Sequence, residues 1–214
     1  MRKQDLKFAI VAVDSVTLGF VAGELSVLLI EPNNKDYQGK YALIGGLVLP
    51  AETAEDAVLR HLKEKGGLIP DHVEQLHTFS ALDRDTRGRV ISVAYLSLLR
   101  PSKVERKSEN AIWLPVKKAH PLAYDHDEIL RFAKRYLKSQ ILQTDIIKYL
   151  MPKEFTLTDL QKAYEKILNK KLDKRNFRKK ILSLGWVEPT GNMEVGAHRP
   201  AALYKFTNKK QSAW

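Results

Sequence analysis

The chain of 214 residues contains no cysteine. Disulfides and thiolate metal sites are excluded, which fits a reducing compartment. It also lacks any apolar stretch of membrane-spanning length. The N-terminus, MRKQDLKFAIVAV, starts with charges, and its apolar run is broken at Asp14, too soon for a secretory leader. A soluble, cytoplasmic chain with no membrane partner is expected. Internal repeats and low-complexity tracts are absent as well. Negative charge is scarce in only one part of the chain. Residues 1–130 carry 17 Lys and Arg against 18 Asp and Glu, whereas residues 131–214 carry 19 against 7. The whole net charge of +11 therefore sits in the C-terminal part. Such asymmetry suggests a nucleic-acid-binding module appended to a neutral body. A solvated basic surface is the plain alternative, and only the pattern of that segment decides between them.

What is present first is a series of short aliphatic runs. Residues 7–13 and 25–31 read as buried strands, 32–40 as a turn-rich loop, and YALIGG as a strand leading into a helix. Residues 77–100 read as two strands joined by the polar loop Asp83–Arg89. A charged loop, the strand AIWLPV and a helix over 126–138 follow. Strands interrupted by helices imply an α/β fold, a sandwich around a mixed sheet. Pro152 marks a boundary, so the chain divides into residues 1–150 and 151–214.

The segment Gly46 to Leu68, GLVLPAETAEDAVLRHLKEKGGL, carries the chemistry. Gly46, Glu52, Arg60, Leu62, Glu64, Gly67 and Leu68 keep a fixed spacing that resembles the Nudix box of diphosphate-cleaving enzymes. Two acidic places of that box are filled by His61 and Lys65. Diphosphate cleavage needs Mg²⁺ or Mn²⁺ held by carboxylate oxygens. On a helix, residues 61, 64 and 65 share one face. A cluster of His, Glu and Lys there repels a divalent cation yet still attracts phosphate. The expectation is a Nudix-like α/β/α sandwich with a degenerate box, no catalytic residues, no metal and no required cofactor. An amphipathic helix after a Gly-Gly turn is the bland alternative.

Residues 155–206 read differently. Thr156 caps a helix with Asp159 three residues on, and Phe155 and Leu160 sit at staple positions. Asp173 caps a second helix, stapled by Leu172 and Phe177, which runs to about Leu184 with Gly185 as its stop. Phe177, Ile181 and Leu184 share one side of it, and Arg175 and Lys179 the other. WVEPT and AALYKF resemble the strands of a wing. A winged helix-turn-helix results, with Thr156, Lys174, Arg175, Asn176, Arg178, Lys179, His198 and Arg199 as candidate DNA contacts. Arg and Asn are suited to base edges, Lys to phosphate.

A Nudix-like frame followed by a winged helix resembles the Nudix-related transcriptional regulators of the NrtR type. The match is carried by DRDTRGRVISVAYLSLL, PLAYDHDEIL, EFTLTDLQKAYEKIL, LDKRNFRKKIL and HRPAALYKF. The resemblance implies a homodimeric repressor of NAD-biosynthesis genes on double-stranded operator DNA, released by ADP-ribose as a small-molecule nucleotide effector. Candidate effector contacts are Arg60, Glu64 and Lys65 of the box and Arg84, Arg87 and Arg89 of the DRDTRGR loop. An active ADP-ribose pyrophosphatase with a DNA-binding tail, or a sugar-responsive regulator, are the alternative functions.

Overall fold

The structure, a computed structural model, describes residues 8–194 and 200–207. A six-stranded mixed sheet is built from β1 (Ile10–Val21), β2 (Glu24–Ile30), β3 (Ala42–Leu47), β4 (His72–Phe79), β5 (Val90–Leu99) and β6 (Ala111–Pro115). Its order is β4-β5-β1-β3-β2-β6. β1 and β5 run parallel, and the other pairings are antiparallel. The sandwich around a mixed sheet is as the sequence suggested.

Two helices cover the two faces. α1 (Ala54–Gly66) opens at Thr53, whose hydroxyl accepts from the Asp56 amide while the Asp56 carboxylate accepts from the Thr53 amide. It closes at Gly67, whose φ of 70° suits a residue without a Cβ. Ala57, Val58 and Leu62 of α1 pack with Val13, Leu28 and Ile44 on one face of the sheet. Burying a leucine such as Leu62 stabilises by about 1.5–3 kcal/mol. α2 (His126–Gln140) covers the other face, where Ile129, Leu130, Ala133 and Leu137 meet Val16, Leu18 and Leu96.

β1 departs from the expectation. It does not end at Val13 but runs on through Asp14, Ser15 and Thr17 to Val21. These polar residues are buried, and each has a partner in the sheet or the helix above it. A polar residue that finds a hydrogen bond inside does not break a strand. The segment after β5, read as a charged loop, contains a short 3₁₀ turn over Pro101–Arg106.

The second face's core continues without a gap through Ile141, Ile146, Ile147, Leu150 and Met151 into the C-terminal module. There β7 (Phe155–Thr156), α3 (Leu157–Leu168), α4 (Lys174–Ser183), β8 (Val187–Glu194) and β9 (Ala201–Phe206) form two helices and a three-stranded sheet in the order β7-β9-β8. Both helix starts are capped as read from sequence: Thr156 accepts from the Asp159 amide and Asp173 from the Asn176 amide. Gly185, at φ 65°, follows α4. Phe177 and Ile181 are buried against Tyr164 and Trp186, with the Tyr164 and Phe177 rings 5.3 Å apart. The same core ties the modules, and an ion pair between Glu24 of β2 and Lys166 of α3 reinforces the join.

Candidate functional site: an effector cleft and a basic helix

Gly45 and Gly46 bring β3 against both β1 and α1. A Cβ on Gly45 would stand 2.1 Å from the Val13 carbonyl, and one on Gly46 would stand 2.5 Å from the His61 ring. Only glycine permits that approach. A cleft of about 400 Å³ opens beside them, lined by Asp14, His61, Lys65, Arg84, Arg87 and Tyr124 among others.

The box residues are engaged with one another. Arg60 donates to both oxygens of Glu52, at 2.5 and 2.9 Å, to the Leu47 carbonyl at 3.1 Å and to Glu64 at 3.3 Å. Glu52 also accepts from the Leu49 amide. The hydrogen bonds from Arg60 and Leu49 bring its pKa down to about 2. His61 sits buried with Nε2 at 3.1 Å from the Leu47 carbonyl. Burial, with the charges of Lys65 and Arg60, pushes its pKa down, so the ring is neutral at pH 7 and donates to that carbonyl. Lys65 donates one of its protons to the Gly45 carbonyl at 2.5 Å. Burial also lowers its pKa, while Asp14 acts in the opposite sense. Glu64 is exposed and does not line the cleft.

This donor set does not fit the divalent cation that a Nudix fold implies. Glu52 is tied to Arg60, His61 donates to a carbonyl, and position 65 presents an ammonium, which leaves Glu64 alone on that face. Among the described residues, no three His, Asp or Glu side chains gather to hold a metal ion.

The DRDTRGR loop divides its three arginines. Arg84 is buried and donates to Asp125 at 2.8 and 2.9 Å and to Asp14 at 3.2 Å. Asp14 also accepts from Ser92 at 2.6 Å and faces Nε2 of His126 at 3.2 Å. Because Nδ1 of His126 accepts from the Leu43 amide, its ring proton lies on Nε2, toward Asp14. Burial would raise the Asp14 pKa, yet His126, Ser92 and Arg84 together hold it below the usual carboxylate range. Arg84 is therefore an anchor that ties the loop, β1 and the start of α2. Arg87 pairs with Asp85 at 2.7 and 2.9 Å, is largely exposed, and lies 5.6 Å from the Tyr124 ring centre. Arg89 clamps the Ser80 and Ala81 carbonyls and is not part of the cleft wall. Asp14, Tyr124, Asp125 and His126 were not assigned as site residues from sequence. The PLAYDHDEIL motif is the sequence signal for Tyr124, Asp125 and His126, whereas Asp14 reads from sequence only as a break in an apolar run.

On α4, Arg175, Asn176 and Lys179 are exposed on the side away from Phe177 and Ile181, and Lys174 is exposed at the helix start, three residues before Phe177. Two candidate contacts need correction. Thr156 is 5 % exposed, and its hydroxyl is committed to Asp159, so its side chain does not face a ligand. Arg178 is half-buried and turned toward Thr158 of α3 at 3.3 Å. His198 and Arg199 lie outside the described residues.

A Nudix-type sheet with a cationic cleft, joined through one continuous core to a winged helix with a basic face, defines the Nudix-related regulators. Residues 11–133 match the NUDIX domain and residues 147–206 the NrtR DNA-binding winged helix domain. The chain is 33% identical to the ADPR responsive transcriptional repressor NtrR of Acinetobacter baylyi, over 96% of this chain and 85% of that one. It is also 33% identical to an ADP-ribose pyrophosphatase of Methanocaldococcus jannaschii, over 64% of this chain and 83% of that one. NrtR of Shewanella oneidensis, complexed with a 27mer DNA, superposes with a TM-score of 0.82 at 29% identity, covering 92% of this chain and 93% of that one. The NUDIX domain of that protein, complexed with ADP ribose, gives a TM-score of 0.55 at 31% identity, covering 61% of this chain and 90% of that one. The chain belongs to the NrtR family of Nudix-related transcriptional regulators.

Proposed function

We propose that this protein is a cytoplasmic repressor of NAD-biosynthesis genes that releases operator DNA when ADP-ribose, or a closely related nucleotide, fills the Nudix cleft. The observation that carries this is the cleft itself. It is sized for a small molecule, presents Lys65 and Arg87 to an anion, and carries a box whose acids are replaced or tied. Those features favour holding a diphosphate over cleaving it. They support reading the chain as a sensor that requires no cofactor, and not as a pyrophosphatase like the relative from M. jannaschii.

Residues 1–150 would serve as the effector domain and 151–214 as the DNA-binding domain. A symmetric homodimer would place two copies of α4 in successive major grooves, with Arg175 and Asn176 toward base edges and Lys174 and Lys179 toward phosphates. ADP-ribose must then bind the DNA-incompetent dimer better than the competent one. The test is a mobility shift on DNA upstream of the chain's own operon and of NAD-biosynthesis genes, with and without ADP-ribose. A specific shift released by ADP-ribose supports the reading. A shift indifferent to it removes ADP-ribose as the effector.

A further inference from the structure

Tyr124 has a φ of 55°, in the left-handed region that bulky side chains rarely enter. The residues on both sides of it are held in place. The Ala123 amide donates to the Tyr41 carbonyl at 2.8 Å, Asp125 is held by Arg84, and His126 is held between Asp14 and the Leu43 amide. A strained conformation that its surroundings impose so fully marks a position whose side chain is being presented. The side chain presented here is an aromatic ring on the cleft wall, near Arg87 and on the same cleft as Lys65.

In the structure that ring is covered. Tyr37 lies against it, with ring centres 4.2 Å apart and planes tilted by 46°. Tyr37 ends a single 3₁₀ turn, Lys35–Tyr37, within a largely exposed segment between β2 and β3. The Thr86 hydroxyl ties that segment to the opposite loop by donating to Asp36 at 2.8 Å. Exposed backbone with few buried contacts is what moves aside at low cost.

We propose that Tyr124 is the specificity-determining platform of the cleft and receives the flat base of the ligand, with Tyr37 standing in that place until the ligand arrives. The inference rests on the reading above that the cleft takes a nucleotide. It adds which residue selects the base and which contact must give way. Phosphates on Lys65 and Arg87 and a purine on Tyr124 make one continuous ligand, and a purine stacks more area than a pyrimidine.

The test is calorimetric titration of the full chain with ADP-ribose and with UDP-ribose. Wild type should prefer ADP-ribose by about 5-fold or more, the part of a base–aromatic stack that the smaller uracil ring does not recover. Tyr124→Asn removes the ring and keeps a residue that tolerates the left-handed backbone. It should reduce the preference to less than about 3-fold by weakening ADP-ribose, since most of that stack is lost. Tyr124→Phe should retain the preference, and Tyr37→Ala should bind ADP-ribose as tightly as wild type or more so. Absence of a preference in wild type, its survival in Tyr124→Asn, or a loss in Tyr37→Ala as large as that in Tyr124→Asn would each overturn the inference. Failure of wild type to bind either compound strikes first at the nucleotide reading of the cleft.

Discussion

Replacing Arg84 with methionine separates an anchor from a ligand contact. The guanidinium is 3 % exposed and makes three hydrogen bonds to two carboxylates. Removing one partner of a buried ion pair destabilises by about 3–5 kcal/mol. Asp14 would keep Ser92 and His126, and Asp125 retains some access to water, which places the expected loss near the lower end, about 3 kcal/mol. Methionine fills most of the vacated volume, so little of that loss comes from a cavity. In a chain of this size it corresponds to a midpoint lowered by about 6–12 °C. Urea unfolding followed by circular dichroism gives the free energy, and thermal melts give the midpoint. A loss below about 1 kcal/mol, well short of the value for a buried pair, together with abolished ADP-ribose binding, would show that Arg84 faces the ligand and refute the anchor.

Further outcomes follow from other residues. Asp14 is held below the ordinary carboxylate range in the folded chain, so its stabilisation is complete above about pH 4 and fades as the pH falls through its folded value. In Asp14→Asn the decline of stability below about pH 4 should be shallower than in wild type; parallel profiles from urea midpoints would contradict this. Arg175→Ala should weaken operator binding by about 1–3 kcal/mol and random DNA by less, read by anisotropy, and equal losses would make it a phosphate contact. Phe177→Ala should destabilise by about 3–5 kcal/mol in chemical unfolding, and an unperturbed variant would mean that α4 does not rest on this ring. The double change His61→Glu and Lys65→Glu should bring Mg²⁺-dependent hydrolysis of ADP-ribose. A folded but inert variant would show that these two positions are not what limits the box.

The winged helix was legible because its determinants are local. Thr156 with Asp159, Asp173 with Asn176, and Gly185 after α4 all act within a turn of the helix they bound. The Nudix frame was legible for a similar reason, since Glu52 meets Arg60, and Gly46 meets His61, across one turn and one helix. Asp14 was not. Read locally it interrupts a strand, and its place inside the sheet depends on Arg84 and Ser92, which lie 70 and 78 residues along the chain. The fate of Arg84 was hidden for the same reason: the three loop arginines look alike in sequence, and the distant carboxylates of Asp14 and Asp125 decide that Arg84 is the buried one. Thr156 shows the converse. A residue read as having two roles has one hydroxyl, and the helix cap takes it.

The most direct measurement is to add ADP-ribose and Mg²⁺ to the protein bound to fluorescent operator DNA, following anisotropy and the ³¹P spectrum of the ligand together. The expected result is release of DNA while the diphosphate resonances persist unchanged. Conversion of the ligand to AMP and ribose 5-phosphate, or intact ligand with the DNA still bound, would contradict it.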